Sequence, residues 1–529
     1  MILDGRTMPL DARLDVDLCI IGAGPAGLSL AREFADSTVR VAVLESGGLD
    51  RERDIDRLGA GDNVGYPYHA LERVRARGIG GTSLHWDEHE NGNGEGWTAR
   101  PLEPLDFEPR PGRPLSGWPF RYHELEPYYR RAQVVARLGP FAYDAATWER
   151  EGARCLPLGD GVQTIVLQRG PLTFAHHVGT LTAASNIWLV HHATVTRLAT
   201  TAGGGRIVEA IASPRSDSTV SVRAPLFILA TGGIENARML LLTNEARPAG
   251  LGNGYDLVGR HFMERLTARG GVLIPTDPNL AKQATLYTNH LVDGTRVHGA
   301  LTLSADKIRQ EQLTNAMLWL RAAPRAFTSE GVRSALTLAR GLGRRPRING
   351  VAGHVRNVFA DLDQVASTIW GHLRSAQERP EVFQVAFQAE ATPQADSRVT
   401  LSPTRDRYGL PRARLDWKIA EDDFRSIRRT IDLIDARLRE MGIGRIIRKF
   451  GDERPPAMIV GNFHHLGTTR MATDERCGVV DENCRVHEAE NLYVASSSVF
   501  PSAGFANPTL TIVALAIRLA DHLKRVLEP

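Results

Sequence analysis

The first clear pattern of apolar positions falls at residues 16–21, VDLCII, a run of strand length. GAGPAG (22–27) follows directly, and LSLAREFAD (28–36) then repeats its apolar residues at helical spacing. A second apolar run, VRVAVLE (39–45), closes on Glu45. Strand, glycine turn, helix and strand in that order predict a βαβ unit on a parallel sheet. The segment 77–108 is rich in Gly, Trp and Pro and reads as an extended loop, whereas FRYHELEPYYRRAQVVARL (120–138) has helical period. Residues 206–230 read as strands, and VRAPLFILATGG (222–233) again joins an apolar run to a glycine turn.

Beyond about residue 262 the texture changes to strands such as GVLIPT (271–276) and VHGALTLS (297–304) among long helical stretches. EVFQVAFQAE (381–390) alternates cleanly: Phe383, Val385, Phe387 and Ala389 share one face, while Gln384, Gln388 and Glu390 share the other with Ala386. The last part of the chain returns to the first texture, with a strand (NLYVASS, 491–497) and a strongly periodic helix (508–527). The nucleotide domain is therefore expected to be discontinuous, built from 1–110, 160–265 and 455–529, with 111–159 and 266–454 forming a substrate domain.

A chain of 529 residues exceeds one ordinary core, which agrees with two domains. Hydrophobic residues at 42% with 24% charged describe a folded, globular chain. Lys+Arg of 64 against Asp+Glu of 61 leaves +3, so no nucleic-acid partner is expected. The arginines of 331–347 (Arg333, Arg340, Arg344, Arg345, Arg347) read as a solvated helix face and loop. The acidic start lacks the apolar core of a signal peptide, and no stretch has the length of a membrane span. Cys19, Cys155, Cys477 and Cys484 show no CxxC spacing and read as reduced thiols. A cytoplasmic location without a membrane partner is the expectation.

Gly22, Gly24 and Gly27 form GxGxxG between strand and helix. The first glycine makes the tight turn, the second lets the backbone approach a pyrophosphate, and the third lets the helix pack on the sheet. Glu45, ending the second strand, suits a ribose hydroxyl. This fingerprint does not separate FAD from NAD. Gly80-Gly81-Thr82-Ser83, suited to a second phosphate, and Ala230-Thr231-Gly232-Gly233 after a strand both favour FAD. His85 and His89, with Asp87, Glu88 and Glu90, superficially suggest a metal; the following NGNGEG indicates a loop instead, and no metal is expected.

The motifs GAGPAG with Glu45, GIGGTSLHW (78–86), RPLEPLDFEPR (100–110), SGWPFRYHELEPYYRRA (116–132), ATGGIENARMLL (230–241), GRHFME (259–264), NFHHLGTTRM (462–471) and 491–523 resemble those of the glucose–methanol–choline (GMC) oxidoreductases. The resemblance implies an α/β fold: a Rossmann-like FAD domain and an α+β substrate domain whose antiparallel sheet covers the flavin. It carries the family's HxxGT histidine onto His464 and its second polar residue onto Asn507. Cofactor contacts are expected at the fingerprint, at Gly80, Gly81, Thr82, Ser83 and His85, at Val195, Thr231 and Gly232, and at Asn507, Pro508 and Thr509. Ser496-Ser497-Ser498 departs from the family pattern, which puts a side-chain contact to the diphosphate there in doubt. GGTSLHW is similar to a motif of the pyranose-oxidase branch, in which the histidine is bonded to the flavin. The spacing at His85 fits either such a bond or a ring packed beside the cofactor.

Oxidising an alcohol removes the hydroxyl proton and sends a hydride from carbon to flavin N5. A histidine suits the proton, and His464 is the expected acceptor. Asn507 is expected to orient the same oxygen. Pro508 reads as the first residue of a helix whose N-terminus faces the flavin and stabilises its reduced charge. His465 reads as structural. Gln384, Gln388 and Glu390 are candidate contacts for a polyhydroxylated substrate. The acids of 87–95 (Asp87, Glu88, Glu90, Glu95) with Glu390 suit a cationic one. The expectation is FAD-dependent oxidation of a sugar, amino-sugar or polyol hydroxyl, with oxygen or another compound accepting the electrons. A hydrophobic alcohol or sterol, a non-redox lyase on the same fold, and a NAD-dependent dehydrogenase are the competing readings.

Overall fold

A computed structural model describes the chain apart from residues 87–95, 114, 216–217, 289, 324–331, 333, 336–337, 340–350, 361, 363–364, 366–381, 452–458, 460 and 529. The arginine-rich stretch and the acidic loop after Trp86 lie largely or wholly outside the described residues.

The apolar runs of the first texture form one parallel sheet of six strands. Their spatial order is Ile2–Asp4, Ile187–His191, Val41–Leu44, Leu18–Ile21, Leu226–Leu229 and Leu492–Val494. Leu18–Ile21, Val41–Leu44 and Leu226–Leu229 are buried throughout, as strands covered on both faces must be. Leu492–Val494 completes the sheet from the far end of the chain by pairing with Leu226–Leu229. That pairing makes this unit discontinuous.

Pro25 occupies the first turn of the helix Pro25–Arg32, where its missing N–H costs nothing. Gly22 sits at φ 108°, a conformation that excludes a side chain. The helix Thr509–Leu527 packs against both Pro25–Arg32 and the helix Tyr122–Val135. Tyr129 Oη and Thr511 Oγ1 share a hydrogen bond of 2.8 Å in that interface.

The second texture forms an eight-stranded antiparallel sheet. Its order runs Gly444–Arg448, Leu266–Pro275, Val382–Ala389, Ala316–Ala323, Thr295–Leu303, Val162–Arg169 and Thr98–Ala99, with His290–Val292 beside Thr295–Leu303. Phe383, Val385 and Phe387 are buried, as the alternation predicts. The amphipathic helix Glu421–Glu440 packs on this sheet, burying Ile427, Ile431, Ile434 and Leu438. Gln388, Trp319, His298 and Arg169, on four adjacent strands, look instead into a cavity shared with the parallel sheet.

Three placements differ from the sequence-based expectation. Val162–Arg169, expected with the nucleotide domain, lies inside the antiparallel sheet in register with Thr295–Leu303, and Thr98–Ala99 joins it. Tyr122–Val135, expected with the substrate domain, packs on the C-terminal helix of the parallel-sheet unit. Local period identifies a strand or helix, but the partner it pairs with is a long-range choice. Among the described residues no helix is long and apolar enough to cross a membrane.

A Cβ on Gly27 would lie on the Gly22 carbonyl oxygen, well inside van der Waals contact. Gly27→Ala is therefore expected to push the helix off the sheet. The protein should purify with little flavin and a lowered thermal midpoint; normal flavin content would refute this packing role.

Candidate active site

The two sheets enclose a cavity of about 920 Å³. At one end the backbone of Gly22, Gly24 and Pro25 meets Gly81, Thr82 and Ser83. A Cβ on Gly81, at φ 56°, would lie 2.7 Å from Gly24 Cα, so only glycine lets these segments approach each other. Gly80, at φ 112°, makes the turn before them, and its N–H donates to Ala23 O at 2.8 Å. Gly232, at φ 89°, has open space where a side chain would be. Glu45 is buried; Oε2 accepts the Ala23 N–H at 2.8 Å and Oε1 the Gly47 N–H at 3.2 Å, and the carboxylate borders the cavity. Burial raises its pKa against the lowering pull of those donors. Thr231, Val195, His85, Pro508 and Thr509 also reach the cavity wall. Gly27 and Gly80 do not, and serve packing and turn geometry.

Pro508 is the N-cap and Thr509 the first helical residue, one position later than the sequence suggested. Asn507 stands just before it. Its Nδ2 donates to Thr98 Oγ1 at 2.8 Å, while Oδ1 is buried without a partner among the described residues. An orphaned acceptor in a polar cavity marks a place for a ligand's hydrogen. The glycine cradle, Glu45 and this orphan oxygen together fit a dinucleotide cofactor with a hydroxylated substrate at its far end.

His464 and His465 both border the cavity. Glu264, fully buried, accepts the His464 backbone N–H at 2.9 Å, the Arg265 N–H at 3.0 Å and the Tyr68 hydroxyl at 2.5 Å. Tyr68 gives its one hydrogen to Glu264, so the Nε2 of His465, 3.0 Å from the same hydroxyl, is the donor to it. Burial, with Arg75 adding to it, pushes His465 down to about 3.

Arg265 is the residue sequence reasoning missed. Nε donates to His464 Nδ1 at 3.2 Å, and Nη1 donates to Phe505 O at 2.6 Å and Gln388 Oε1 at 3.3 Å. A guanidinium only donates, so His464 Nδ1 must present its lone pair and the neutral ring carries its hydrogen on Nε2. Burial, then Arg265, then His465 hold His464 well below the ordinary imidazole range.

The polar strand face divides. Gln388 reaches the cavity, but Gln384 lies farther along the strand, off its wall. Glu390 is corrected outright. It is 3% exposed and turned to Arg110, whose Nη1 lies 2.6 Å from Oε2. Asp106, 3.1 Å from Arg110 Nη2, and Asn315, whose side chain donates to Asp106 at 3.0 Å and backbone N–H to Glu390 at 3.2 Å, complete the cluster. Glu390 follows the last strand residue, Ala389, so the alternation no longer governs it. Asp87, Glu88, His89, Glu90 and Glu95 lie outside the described residues. Ser497 Oγ donates to His465 O and Ser498 Oγ accepts from Thr469 and Asn236, so these hydroxyls brace the site. Away from the cavity, Asp4, His191 and His192 gather donor atoms, but Arg6 ties Asp4 and Glu52 ties His192.

His298 was also overlooked. It lines the cavity beside Trp319, ring centroids 4.4 Å apart, and both its nitrogens are buried without partners among the described residues. Burial and Arg169 push it down to about 3. Its place in the alternating VHGALTLS put it on the same face as Ala300 and Thr302, which is the signal that was available.

A parallel sheet with a glycine cradle, faced by an antiparallel sheet bearing polar and aromatic residues, defines a dinucleotide-dependent oxidoreductase. Residues 393–516 match the family model described as GMC oxidoreductase. The chain is 23% identical to the 2-methyl-1,2-propanediol dehydrogenase of Mycolicibacterium austroafricanum, over 96% of this chain and 95% of that protein. It is 23% identical to the 6'''-hydroxyparomomycin C oxidase of Streptomyces lividus, over 96% of this chain and 92% of that protein. The crystal structure of pyridoxine 4-oxidase from Mesorbium loti shares the fold at a TM-score of 0.56 and 17% identity, covering 96% of this chain and 99% of that one. The protein is an FAD-dependent oxidoreductase acting on alcohols, similar over residues 393–516 to the GMC oxidoreductases.

Arg110→Met should leave Asp106 and Glu390 facing each other, two buried carboxyls without their cation. Burial and Glu390 already raise the Asp106 pKa, with Arg110 opposing them. A loss of roughly 3–5 kcal/mol is expected in denaturant unfolding, as for breaking a buried pair. An unchanged midpoint would return Glu390 to the list of substrate contacts.

Proposed function

We propose that the enzyme oxidises a hydroxyl of a sugar, amino sugar or polyol to a carbonyl, with His464 and Asn507 holding the reacting oxygen. The observation that carries this reading is the convergence of His464 and the orphan Oδ1 of Asn507 on one cavity with the dinucleotide cradle. Bound FAD supplies the hydride acceptor. Around it, Asn507 fixes one direction at the oxygen, His464 the other, and the enclosing sheets exclude bulk water from the reacting atoms. Trp319, His298 and Gln388 on the facing sheet give a wall of aromatic surface and hydrogen-bonding groups suited to a hydroxylated ring. Two relatives named for a diol and an aminoglycoside support the same substrate range. Oxygen or another small acceptor takes the electrons onward.

The test is anaerobic bleaching of the yellow enzyme by a panel of D-glucose, D-fructose, paromomycin, 2-methyl-1,2-propanediol, benzyl alcohol and cholesterol. At least one sugar, aminoglycoside or diol should bleach it. Bleaching by benzyl alcohol or cholesterol alone would move the substrate class to hydrophobic alcohols, and no bleaching by any would favour a non-redox role. His464→Ala and Asn507→Ala should each slow reduction by roughly 10²–10³-fold with flavin retained, the range for a lost donor at a reacting oxygen. Near-normal rates in flavin-loaded His464→Ala would overturn the assignment.

His85, buried at the cavity wall within GGTSLHW, is proposed to lie against the flavin and to be bonded to it. Acid precipitation should then leave the yellow colour in the pellet, and His85→Ala should release it. Colour wholly in the supernatant of the unmutated protein would refute the bond.

A further inference from the structure

Strand register decides which residues of the antiparallel sheet look into the cavity together. Residues paired across neighbouring strands lie on one face, and so do residues two apart on a strand. Thr98 pairs with Arg169, Leu167 with His298, Ala300 with Trp319, and Met317 with Gln388. These pairs put Thr98, Arg169, His298, Trp319 and Gln388 on a single face, one from each of five adjacent strands. His298 stands on the middle strand, roughly 10 Å from either edge at the usual strand spacing.

The two edges of this face hold the groups assigned to the reacting oxygen. Thr98 Oγ1 accepts from Asn507 Nδ2 at 2.8 Å, and Gln388 Oε1 shares the Arg265 guanidinium with His464. Between them, Trp319 packs against the cluster that includes Phe505 and Ala506, the residues leading into Asn507. The His298 and Trp319 rings meet at 4.4 Å between centroids and 63° between planes. Both nitrogens of His298 are buried without partners among the described residues, although the residue is half-buried and borders the cavity. Unmet hydrogen-bonding groups at the wall of a polar cavity mark a place for a ligand atom.

The chemistry of that atom follows from the ring. Burial, then the charge of Arg169, hold the imidazole neutral, so one nitrogen carries a hydrogen and the other a lone pair. A hydroxyl satisfies either nitrogen. An ammonium group cannot accept and an ether oxygen cannot donate, so each fits only one of them. The positive charge of Arg169 further disfavours an ammonium group at this position.

We propose that His298 is a specificity-determining residue that hydrogen-bonds a second, non-reacting hydroxyl of the substrate, while Trp319 carries the C–H face of the same molecule. The proposal rests on the reading that His464 and Asn507 meet the reacting oxygen. On that reading the body of the substrate lies over the middle strands, where His298 and Trp319 are. Rotation about the His298 Cβ–Cγ bond, a broad torsion, turns a ring nitrogen to the hydroxyl without moving the strand. The hydroxyl then completes a group that the folded chain leaves unmet, and a simple alcohol does not. The substrate class narrows to polyhydroxylated compounds that place a neutral hydroxyl at His298.

The test mixes the FAD-loaded enzyme anaerobically with the panel sugar, aminoglycoside or diol that bleaches it fastest, and with analogues each lacking one non-reacting hydroxyl. For 2-methyl-1,2-propanediol the analogue is 2-methyl-1-propanol. Stopped-flow reduction separates the half-saturating concentration from the limiting rate. In the unmutated enzyme at least one analogue should need roughly 10–100-fold more than its parent for half-saturation. His298→Phe keeps a ring against Trp319 but has no nitrogen. It should bring the parent to the level of that analogue, leave the analogue unchanged, and keep the limiting rate close to that of the unmutated enzyme. His298→Gln, which retains a donor and an acceptor, should recover part of the difference. If His298→Phe fails to fold, His298→Leu serves with the same outcomes. A parent–analogue difference that survives in the folded, yellow variant would overturn the role of His298 while alcohol oxidation stands, and so would its absence from the unmutated enzyme. Bleaching by no sugar, aminoglycoside or diol would instead overturn the reading of the reacting site, and this subsite with it.

Discussion

One buried guanidinium joins the parts of this active site. Arg265 stands where the antiparallel sheet begins, and it reaches three segments far apart in sequence: His464 before the last parallel strand, Gln388 on the sheet, and Phe505 in the turn leading to Asn507. Burying such a cation costs several kcal/mol unless its hydrogens and charge are matched. Here the match comes from Glu264, whose carboxylate also takes the Tyr68 hydroxyl and the His464 backbone N–H. Burial still pulls Arg265 down to about 9. The pair therefore fixes position: His464 cannot move without unpairing a buried donor, and neither can the turn that presents Asn507.

That constraint explains why the chain crosses between its two units so often. The cofactor cradle belongs to the parallel sheet, where Gly22, Gly24 and Gly81 let backbone approach backbone. The facing wall of the cavity belongs to the antiparallel sheet, where His298, Trp319 and Gln388 share one face. A reacting atom has to sit between them, and tolerances there are a fraction of an ångström. Arg265, the Arg110 cluster and the Thr98–Asn507 hydrogen bond each tie one unit to the other with buried polar contacts, which have narrower geometry than apolar packing.

What was legible in the sequence was local. The βαβ unit, the glycine turn, Glu45 and the C-terminal helix follow from period and residue type, because short-range sterics decide them. His464 and Asn507 were legible through motif resemblance, and both reach the cavity. What failed required knowledge of who pairs with whom. Val162–Arg169 has a strand's pattern in either sheet, and only the ladder with Thr295–Leu303 assigns it. Glu390 looked like a substrate contact because the alternation was extended one residue past the strand's end, where Arg110 claims it. Arg265 was passed over since its meaning lies wholly in distant partners.

The electrostatics of the cavity follow a consistent logic. His465 and His298 are pushed down to about 3, and His464 well below its ordinary range, each chiefly by burial. All three rings are therefore neutral near pH 7 and add no mobile charge beside the reacting oxygen. On the cofactor side, burial alone would raise Glu235, but Arg77, Arg238 and Arg75 together hold it ionised. Glu390, Asp106 and Arg110 satisfy one another outside the cavity wall. Among the described residues the carboxylates that line the cavity, Glu45 and Glu235, are each held by backbone N–H groups or arginines. Hydride transfer leaves negative charge on the acceptor, and preoriented N–H groups in a water-poor site stabilise it without reorganisation. A charged histidine there would help that state, but at the cost of burying a cation in the resting enzyme. Holding the rings neutral and the donors fixed avoids that cost while keeping the dipoles aimed at where charge develops.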